Sequence, residues 1–524
     1  MDELWASPWD HARERPDHPA VIFADTGERR SYAQMIGTAN RLAHRLVADG
    51  VEVGDCVAIF LENRVEYVEA VWAAKQLGAY YVCLPRDLTR NDAEYILRNS
   101  GAKVLITSDT IGEVAETLLE TVPTLRAGYM IGEARGAFRP YEGALEGMPD
   151  EMVEGRPRGS SMLYSSGTTG RPKGIRHPIE NVPPQIAPPR HLYLRELFRF
   201  SRDTVFLNPG PFYHTAPLRM MIHAQREGAT AIAFRRFDAE TVLRAIETFG
   251  ATCGMFVPTM FIRMLDLPEA VRESVDLSTM QVALHGAAPM PPAVKDKMIA
   301  WWGDCITEMY GGTESIGTTI ISASEWKTHR GSVGRPSSIT RIRIEGPDGK
   351  DCPAGVPGLV LMTQGKPFEY FGDPVKTAEA TRPDHWGTLG DIGYLDEEGY
   401  LYLTDRASNL IISGGVNIYP QEAENVLAGH PDVADVAVFG IPHAVFGEQV
   451  HALVVPREGV AADDALTERL IAFCRDEIGK IKSPRSFEYA DALPRSETGK
   501  ILKKQLRQRY WPDSPISRSQ EARN

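Results

Sequence analysis

Apolar residues at Tyr32, Met35, Ile36, Ala39, Leu42, Ala43, Leu46 and Val47 recur at helical spacing, and Gly50 follows as a stop. This pattern predicts a helix that stops at Gly50. Downstream, Cys56–Leu61 reads as a buried strand, Glu66–Gly78 as a helix, Tyr80–Leu84 as a strand, Asn91–Asn99 as a helix and Lys103–Thr107 as a strand. The alternation returns as strands at Thr204–Leu207, Thr230–Ala233 and Cys253–Val257, with helices at Leu218–Gly228 and Ala239–Phe249. Strand–helix alternation with short Gly or Asn breaks predicts mainly parallel sheets covered by helices, and so two packed α/β lobes before residue 330. From Gly331 to Asp405 glycines and prolines become frequent, and short alternating segments (Ile342–Glu345, Leu359–Thr363, Tyr400–Thr404) predict a small antiparallel β-rich subdomain. Beyond it, helices at Glu422–Ala428 and Thr467–Glu477 with antiparallel strands at Val433–Phe439 and Val450–Val455 form a separate small α+β unit.

Composition narrows the class. A chain of 524 residues needs more than one core, and 43% hydrophobic with 24% charged residues is a globular balance. No apolar run approaches the roughly 18 to 20 residues that span a bilayer. The acidic start Met1–Trp5 lacks the features of a secretory signal. Cys56, Cys83, Cys253, Cys305, Cys352 and Cys474 form no C-x-x-C pair, which argues against a disulfide framework or zinc site and fits a reducing cytoplasm. A net charge of −13 disfavours broad nucleic-acid or anionic-membrane binding, while leaving room for a local basic phosphate pocket.

The strongest chemical signal runs from Met162 to Gly174 and contains Ser165, Ser166, Gly167, Thr168, Thr169, Gly170 and Lys173. A polyphosphate needs backbone N–H groups free to face it; glycines allow close approach, hydroxyls add donors and a lysine adds charge. Gly174 stands after Lys173 where a Walker motif has Ser or Thr. Such a loop alone is also compatible with a flexible surface turn.

This stretch resembles the phosphate loop of the adenylate-forming enzymes: acyl-CoA synthetases, luciferases and peptide-synthetase adenylation domains. The resemblance runs in order from Ser31 to about Gln505. It implies a large N-terminal domain (1–405) for acid and ATP, a hinge at 406–409, and a small mobile α+β C-terminal domain (410–524). Tyr310-Gly311-Gly312-Thr313-Glu314 looks like the element in which the aromatic packs on adenine, the threonine touches phosphate and the glutamate holds Mg2+. Carboxylate oxygen suits that hard cation. His285, Gly286, Ala287 and Ala288 resemble the turn that contacts adenine and borders the acid. Asp391 and Arg406 resemble the ribose-binding pair; a carboxylate can accept both protons of a cis-diol. Lys500, within Pro494–Ile501, resembles the catalytic lysine that stabilises charge during adenylation.

For the second half-reaction, the resemblance places Gly414 and Gly415 along a pantetheine tunnel, and Phe446, Lys482 and Arg485 at coenzyme A. The hinge departs from the family: Ser408 stands where Asp or Lys is usual, followed by Asn409. Tyr213, His214, His285, Gly286, Gly312, Ile316, Gly317 and Val333 are the expected acid-pocket positions, with His214 as gate. The small and aliphatic positions among them, with no Asp to meet an amine, imply an apolar carboxylic acid. The segment Asn181–Phe200, which holds Tyr193, is expected to form part of the pocket wall. The expected function is ATP-dependent acid–CoA ligation through an acyl-adenylate, with carrier-protein loading as the alternative. A homodimer is common among such enzymes.

Overall fold

The computed structural model describes residues 7–164, 172–406, 409–413, 416–495 and 501–511, with backbone alone for Arg406 and Asn417. The first apolar pattern folds as the helix Tyr32–Ala48. Ser31 caps it, accepting from the Gln34 N–H while the Gln34 side chain accepts from the Ser31 N–H. It packs on the helix Val65–Gln76, every residue of which is buried, including Glu66, Glu69 and Lys75.

The first lobe holds an eight-stranded sheet whose centre is parallel: Ser160–Tyr164, Tyr80–Cys83, Cys56–Phe60, Val104–Ser108 and Ala127–Ile131. At one end Gly174–Arg176 and Glu369–Tyr370 join antiparallel. Glu369–Tyr370 comes from much later in the chain and sets Tyr370 beside the segment that follows the phosphate-loop sequence.

The second lobe holds a nine-stranded sheet. Its parallel centre is Thr230–Ala233, Val205–Asn208, Cys253–Phe256, Val282–Gly286 and Ile306–Gly311, with Thr318–Ser322 added antiparallel. Two features go beyond the sequence expectation. The strand Pro19–Phe23 pairs parallel with Thr230–Ala233, Ile22 opposite Ile232. His285 and Gly286 finish a strand, and the expected turn begins only at Ala287, whose φ of 69° is unusual for a residue with a Cβ.

Residues 341–406 form the six-stranded sheet of the β-rich subdomain, antiparallel throughout as expected. The five-stranded C-terminal sheet contains Val433–His443 and Gly447–Pro456. Its strand Ser486–Tyr489 runs parallel to Gly447–Pro456, because the helix Asp464–Lys482 carries the chain back across the sheet.

Burial dictates the acid response of this fold. Desolvation pulls His177 and His214 down to about 4 and lowers His191, His223 and His285 as well. With folded values below the ordinary 6.5, these groups bind fewer protons in the folded than in the unfolded state. Their stability contribution is therefore present above pH 6.5 and lost as pH falls towards 4. Thermal melting across this range should show Tm falling with pH. His285 is fully buried with neither ring nitrogen hydrogen-bonded, so His285→Leu should reduce the fall. An unchanged Tm across the range would contradict the assignment.

Candidate active site

Two tyrosine hydroxyls organise the carboxylates where the lobes meet the β-rich subdomain. Tyr310, near the end of strand Ile306–Gly311, donates to Asp391 Oδ2 at 2.7 Å. Asp391 opens the strand Asp391–Leu395 and pairs in register with Arg406 on the antiparallel neighbour. Tyr370 donates to Glu314 Oε1 at 2.9 Å, and Lys173 Nζ lies 4.8 Å from the centre of the Tyr370 ring. Lys173, Tyr370 and Glu314 are thus one group, assembled from three distant parts of the chain.

Glu314 sits in the hairpin between Ile306–Gly311 and Thr318–Ser322, where Ser315 turns the chain at φ 54°. The adjoining Thr313 Oγ1 accepts from Thr215 Oγ1 at 3.1 Å, which ties the start of helix Thr215–Arg226 to the same group. Two glycines permit the close packing. A Cβ at Gly312 would lie 2.5 Å from Leu389 and 2.7 Å from Glu314 Oε2, and one at Gly286 would lie 2.4 Å from the Met309 carbonyl oxygen.

Beside this group lies an aromatic wall with unused polar atoms. His214 is the N-cap of helix Thr215–Arg226 and stands 4.4 Å, centre to centre, from the Tyr213 ring. His214 Nε2, the Tyr213 hydroxyl and the Tyr193 hydroxyl are all buried without a hydrogen-bond partner among the described residues. Buried polar atoms are seldom left unpaired, so the adjacent Tyr213 and His214 mark a surface made to meet something else. Burial holds the His214 imidazole neutral at physiological pH. Tyr193, on helix Arg190–Phe198, and Met309 pack on the large core to which Tyr213 belongs.

Several sequence-selected residues are placed differently. On strand Val282–Gly286 successive side chains alternate; the His285 ring faces Phe261 at 5.7 Å, within the second-lobe core, and not Leu284's side. Glu308 is 3.9 Å from His285 Nε2 and forms a buried 2.5 Å pair with Lys295. Ile316 is 2% exposed and packs with Met362 and Phe368 in the subdomain core, where Val333 and Tyr310 also pack. Ile316 therefore shapes the hairpin from behind. Gly317 faces the same packing, since a Cβ there would meet Met362 and Thr340.

In the C-terminal unit, the Arg485 guanidinium lies 4.1 Å from the Phe446 ring centre, and His443 stacks with Phe446 at 4.7 Å. Lys482 does not join them; it pairs with Glu422 at 2.5 Å. The candidate residues Ser165, Ser166, Gly167, Thr168, Thr169, Gly170, Gly414, Gly415 and Lys500, and hinge residue Ser408, lie outside the described residues. Tyr370 and Thr215 were missed by sequence reading. The aromatic run Phe368–Phe371 before Asp373–Pro374 signals an ordered edge, but only the tertiary fold places it under Lys173.

Together these contacts gather two carboxylates, a lysine and two tyrosine hydroxyls at a junction of lobes. Residues 8–366 match the family described as AMP-binding enzyme, and residues 422–500 match the AMP-binding enzyme C-terminal domain. The chain is 31% identical over 517 residues to the fatty acid–[acyl-carrier-protein] ligase ScoC of Streptomyces coeruleorubidus, covering 96% of both chains. It is 33% identical over 505 residues to a feruloyl-CoA synthase of Amycolatopsis sp, covering 96% of this chain and 98% of the relative. Its fold superposes on ATP-bound MatB from Rhodopseudomonas palustris with a TM-score of 0.83, at 28% identity, covering 97% and 99% of the two chains. The chain belongs to the AMP-binding enzyme family.

Proposed function

We infer that the protein is an AMP-forming acid–CoA ligase acting on an apolar-bodied carboxylic acid. The observation that carries the adenylation step is the joined pair of groups Tyr310–Asp391 and Lys173–Tyr370–Glu314. The first matches a ribose with its base and the second a phosphate chain, side by side.

In the first half-reaction an acid carboxylate oxygen attacks the α-phosphorus of ATP. The bond from that phosphorus to the bridging oxygen breaks, and pyrophosphate leaves with the electron pair. Asp391 accepts from the ribose hydroxyls, with Arg406 as a further contact, while Lys173 holds leaving phosphate charge and Thr313 donates to phosphate. Lys500 brings a positive charge to the group of oxygens over which charge spreads in the transition state. His214, held neutral, separates acid from nucleotide and stands aside for the thiol. In the second half-reaction the CoA sulfur attacks the acyl carbon, the thiol proton is lost, and AMP departs on its phosphate oxygen.

Among the described residues no group of three or more His, Cys, Asp or Glu could hold a metal unaided. A magnesium ion carried on nucleotide phosphates needs only one or two protein carboxylates, and Glu314 fits that demand. When bound there it would neutralise phosphate charge.

We assign residues 1–405 and 410–524 to two domains joined by a hinge at 406–409. Asp405 supports this placement: its carboxylate accepts from the Asn409 side chain at 2.9 Å and the Gln421 N–H at 3.1 Å, one on either side of the junction's far end. The six cysteines, all free, support a reducing, cytoplasmic setting. No described helix is long and apolar enough to cross a membrane.

The Arg485–Phe446 shelf favours free CoA, since an aromatic face with a cation can stack a purine beside its phosphates. Carrier-protein loading is the second reading, supported by the name of the ScoC relative. Purified protein given ATP, magnesium, CoA and a panel of acids should release AMP and consume thiol. Pyrophosphate release without any thioester would refute the CoA assignment, and competition between CoA and a phosphopantetheinyl carrier would then identify the acceptor.

A further inference from the structure

Lys75, Arg190 and Arg219 are cationic side chains that the adenylation chemistry does not use. Lys75, next to last in the buried helix Val65–Gln76, is 8% exposed. Its ammonium lies 5.6 Å from the Tyr81 ring centre and 5.9 Å from that of Trp72. Among the described residues it makes no hydrogen bond or ion pair. Arg190 opens the helix Arg190–Phe198, and Arg219 lies on the helix Thr215–Arg226. The two helices are joined through His191 Nδ1 and His223 Nδ1 at 2.8 Å. His223 is one turn beyond Arg219 and His191 adjoins Arg190, so both arginines lie within a turn of the contact between the helices. Neither guanidinium has a hydrogen bond or ion pair among the described residues, and both residues are half-buried.

Neighbouring cations are accounted for. Arg158 pairs with Glu180, which also takes Lys366. Arg226 donates to the carbonyls of Pro184 and Gln185 at 3.1 and 3.3 Å. Glu180 is therefore already committed, and Glu227 is held by His191 at 2.7 Å. Desolvation, reinforced by the surrounding arginines, pushes Lys75 well below its usual range and Arg219 down to about 9. Like charges enclosed without a counter-charge destabilise a fold. Their retention near a reaction site points to an anion that arrives with the substrate.

The place of the cluster says which substrate. Thr215, bonded to Thr313, begins the helix that carries Arg219. Arg219 is one turn further from the reacting end, about 6 Å along the helix axis. The hydroxyl of Tyr193, three residues on from Arg190 in the same helix, is buried without a partner among the described residues.

We propose that the acid carries a second carboxylate, remote from the reacting one, held by Lys75, Arg190 and Arg219. This rests on the acid–CoA ligase reading and adds an anionic terminus to the apolar body. Guanidinium forks match carboxylate oxygens in pairs, which makes arginine the suited partner.

The test compares straight-chain α,ω-dicarboxylates of about six to twelve carbons, a length scale set by the one-turn spacing, with monocarboxylates of equal length. AMP release is measured with the full chain, wild type against Arg219→Met and Lys75→Met. The wild type should prefer a dicarboxylate by roughly ten-fold or more in kcat/KM, about the worth of one charged hydrogen bond. The preference should collapse in either variant. The preferred dicarboxylate should also raise the Tm of the wild type and fail to raise that of Arg219→Met. Should Arg219→Met not fold, Lys75→Met supplies the same comparison. Equal or better use of monocarboxylates, an intact preference in a variant that folds, or an equal Tm shift from inorganic phosphate would each overturn the proposal. Absence of AMP release with every acid would instead refute the ligase reading, while the Tm comparison would still decide the second carboxylate.

Discussion

Replacing Lys500 by alanine is expected to slow acyl-adenylate formation by about 10²–10³-fold, the usual cost of removing a preorganised charge from a transition state. Thioester formation from supplied acyl-adenylate should be largely spared. The expectation draws on the residues that flank Lys500. Arg495 and Ile501 form an antiparallel bridge. Arg495 pairs with Asp435 at 2.6 Å, and Lys503 pairs with the buried Glu424 at 2.7 Å. Both flanks of the segment are therefore anchored to the C-terminal sheet and helix. Equal loss in both half-reactions, measured by pyrophosphate exchange and by thioester yield, would contradict a role confined to adenylation.

Asp391→Ala should lower kcat/KM for ATP by about 10²–10³-fold, since it removes charge-assisted hydrogen bonds worth roughly 1.5–3 kcal/mol each. It also leaves the Tyr310 hydroxyl without the acceptor it has at 2.7 Å. The ribose assignment makes a sharper demand. 2′-Deoxy-ATP and 3′-deoxy-ATP should be much poorer substrates than ATP for the wild type, yet nearly equal to ATP for the variant. If the deoxynucleotides keep their full disadvantage in Asp391→Ala, another group reads the ribose. Comparing the two losses in a cycle separates the ribose contact from the disturbance of Tyr310.

The sequence made the periodic elements legible because each depends on local burial. The first helix was readable from its apolar stripe and its glycine stop, and emerges as Tyr32–Ala48. The antiparallel character of residues 341–406 was readable from alternation. Sheet membership was not: Pro19–Phe23 joins the second lobe through pairing with residues that no local pattern could indicate. The same division holds at the site. Glu314, Asp391 and Lys173 could be selected as chemical types in a recognisable order, and the structure sets each in a specific contact. Tyr370 was invisible because its role arises only where two edge strands meet. His285 misled because order along the chain does not reveal which face of a strand a side chain takes. The cation cluster was equally hidden, since Lys75, Arg190 and Arg219 look like ordinary surface charges until the helices pack.

The pairing of Pro19–Phe23 with Thr230–Ala233 also governs how the protein is made. The strand Pro19–Phe23 can pair at once with Arg29–Ser31 beside it, but its parallel partner comes about 200 residues later, which at roughly 5–20 residues per second means tens of seconds on the ribosome. Throughout that interval Val21 and Phe23, fully buried in the finished fold, lack the parallel neighbour that covers them. The first lobe can assemble its parallel centre early, whereas the second must recruit the oldest part of the chain last. Newly made protein therefore depends most on chaperones before the second lobe closes, and its yield is governed by that closure.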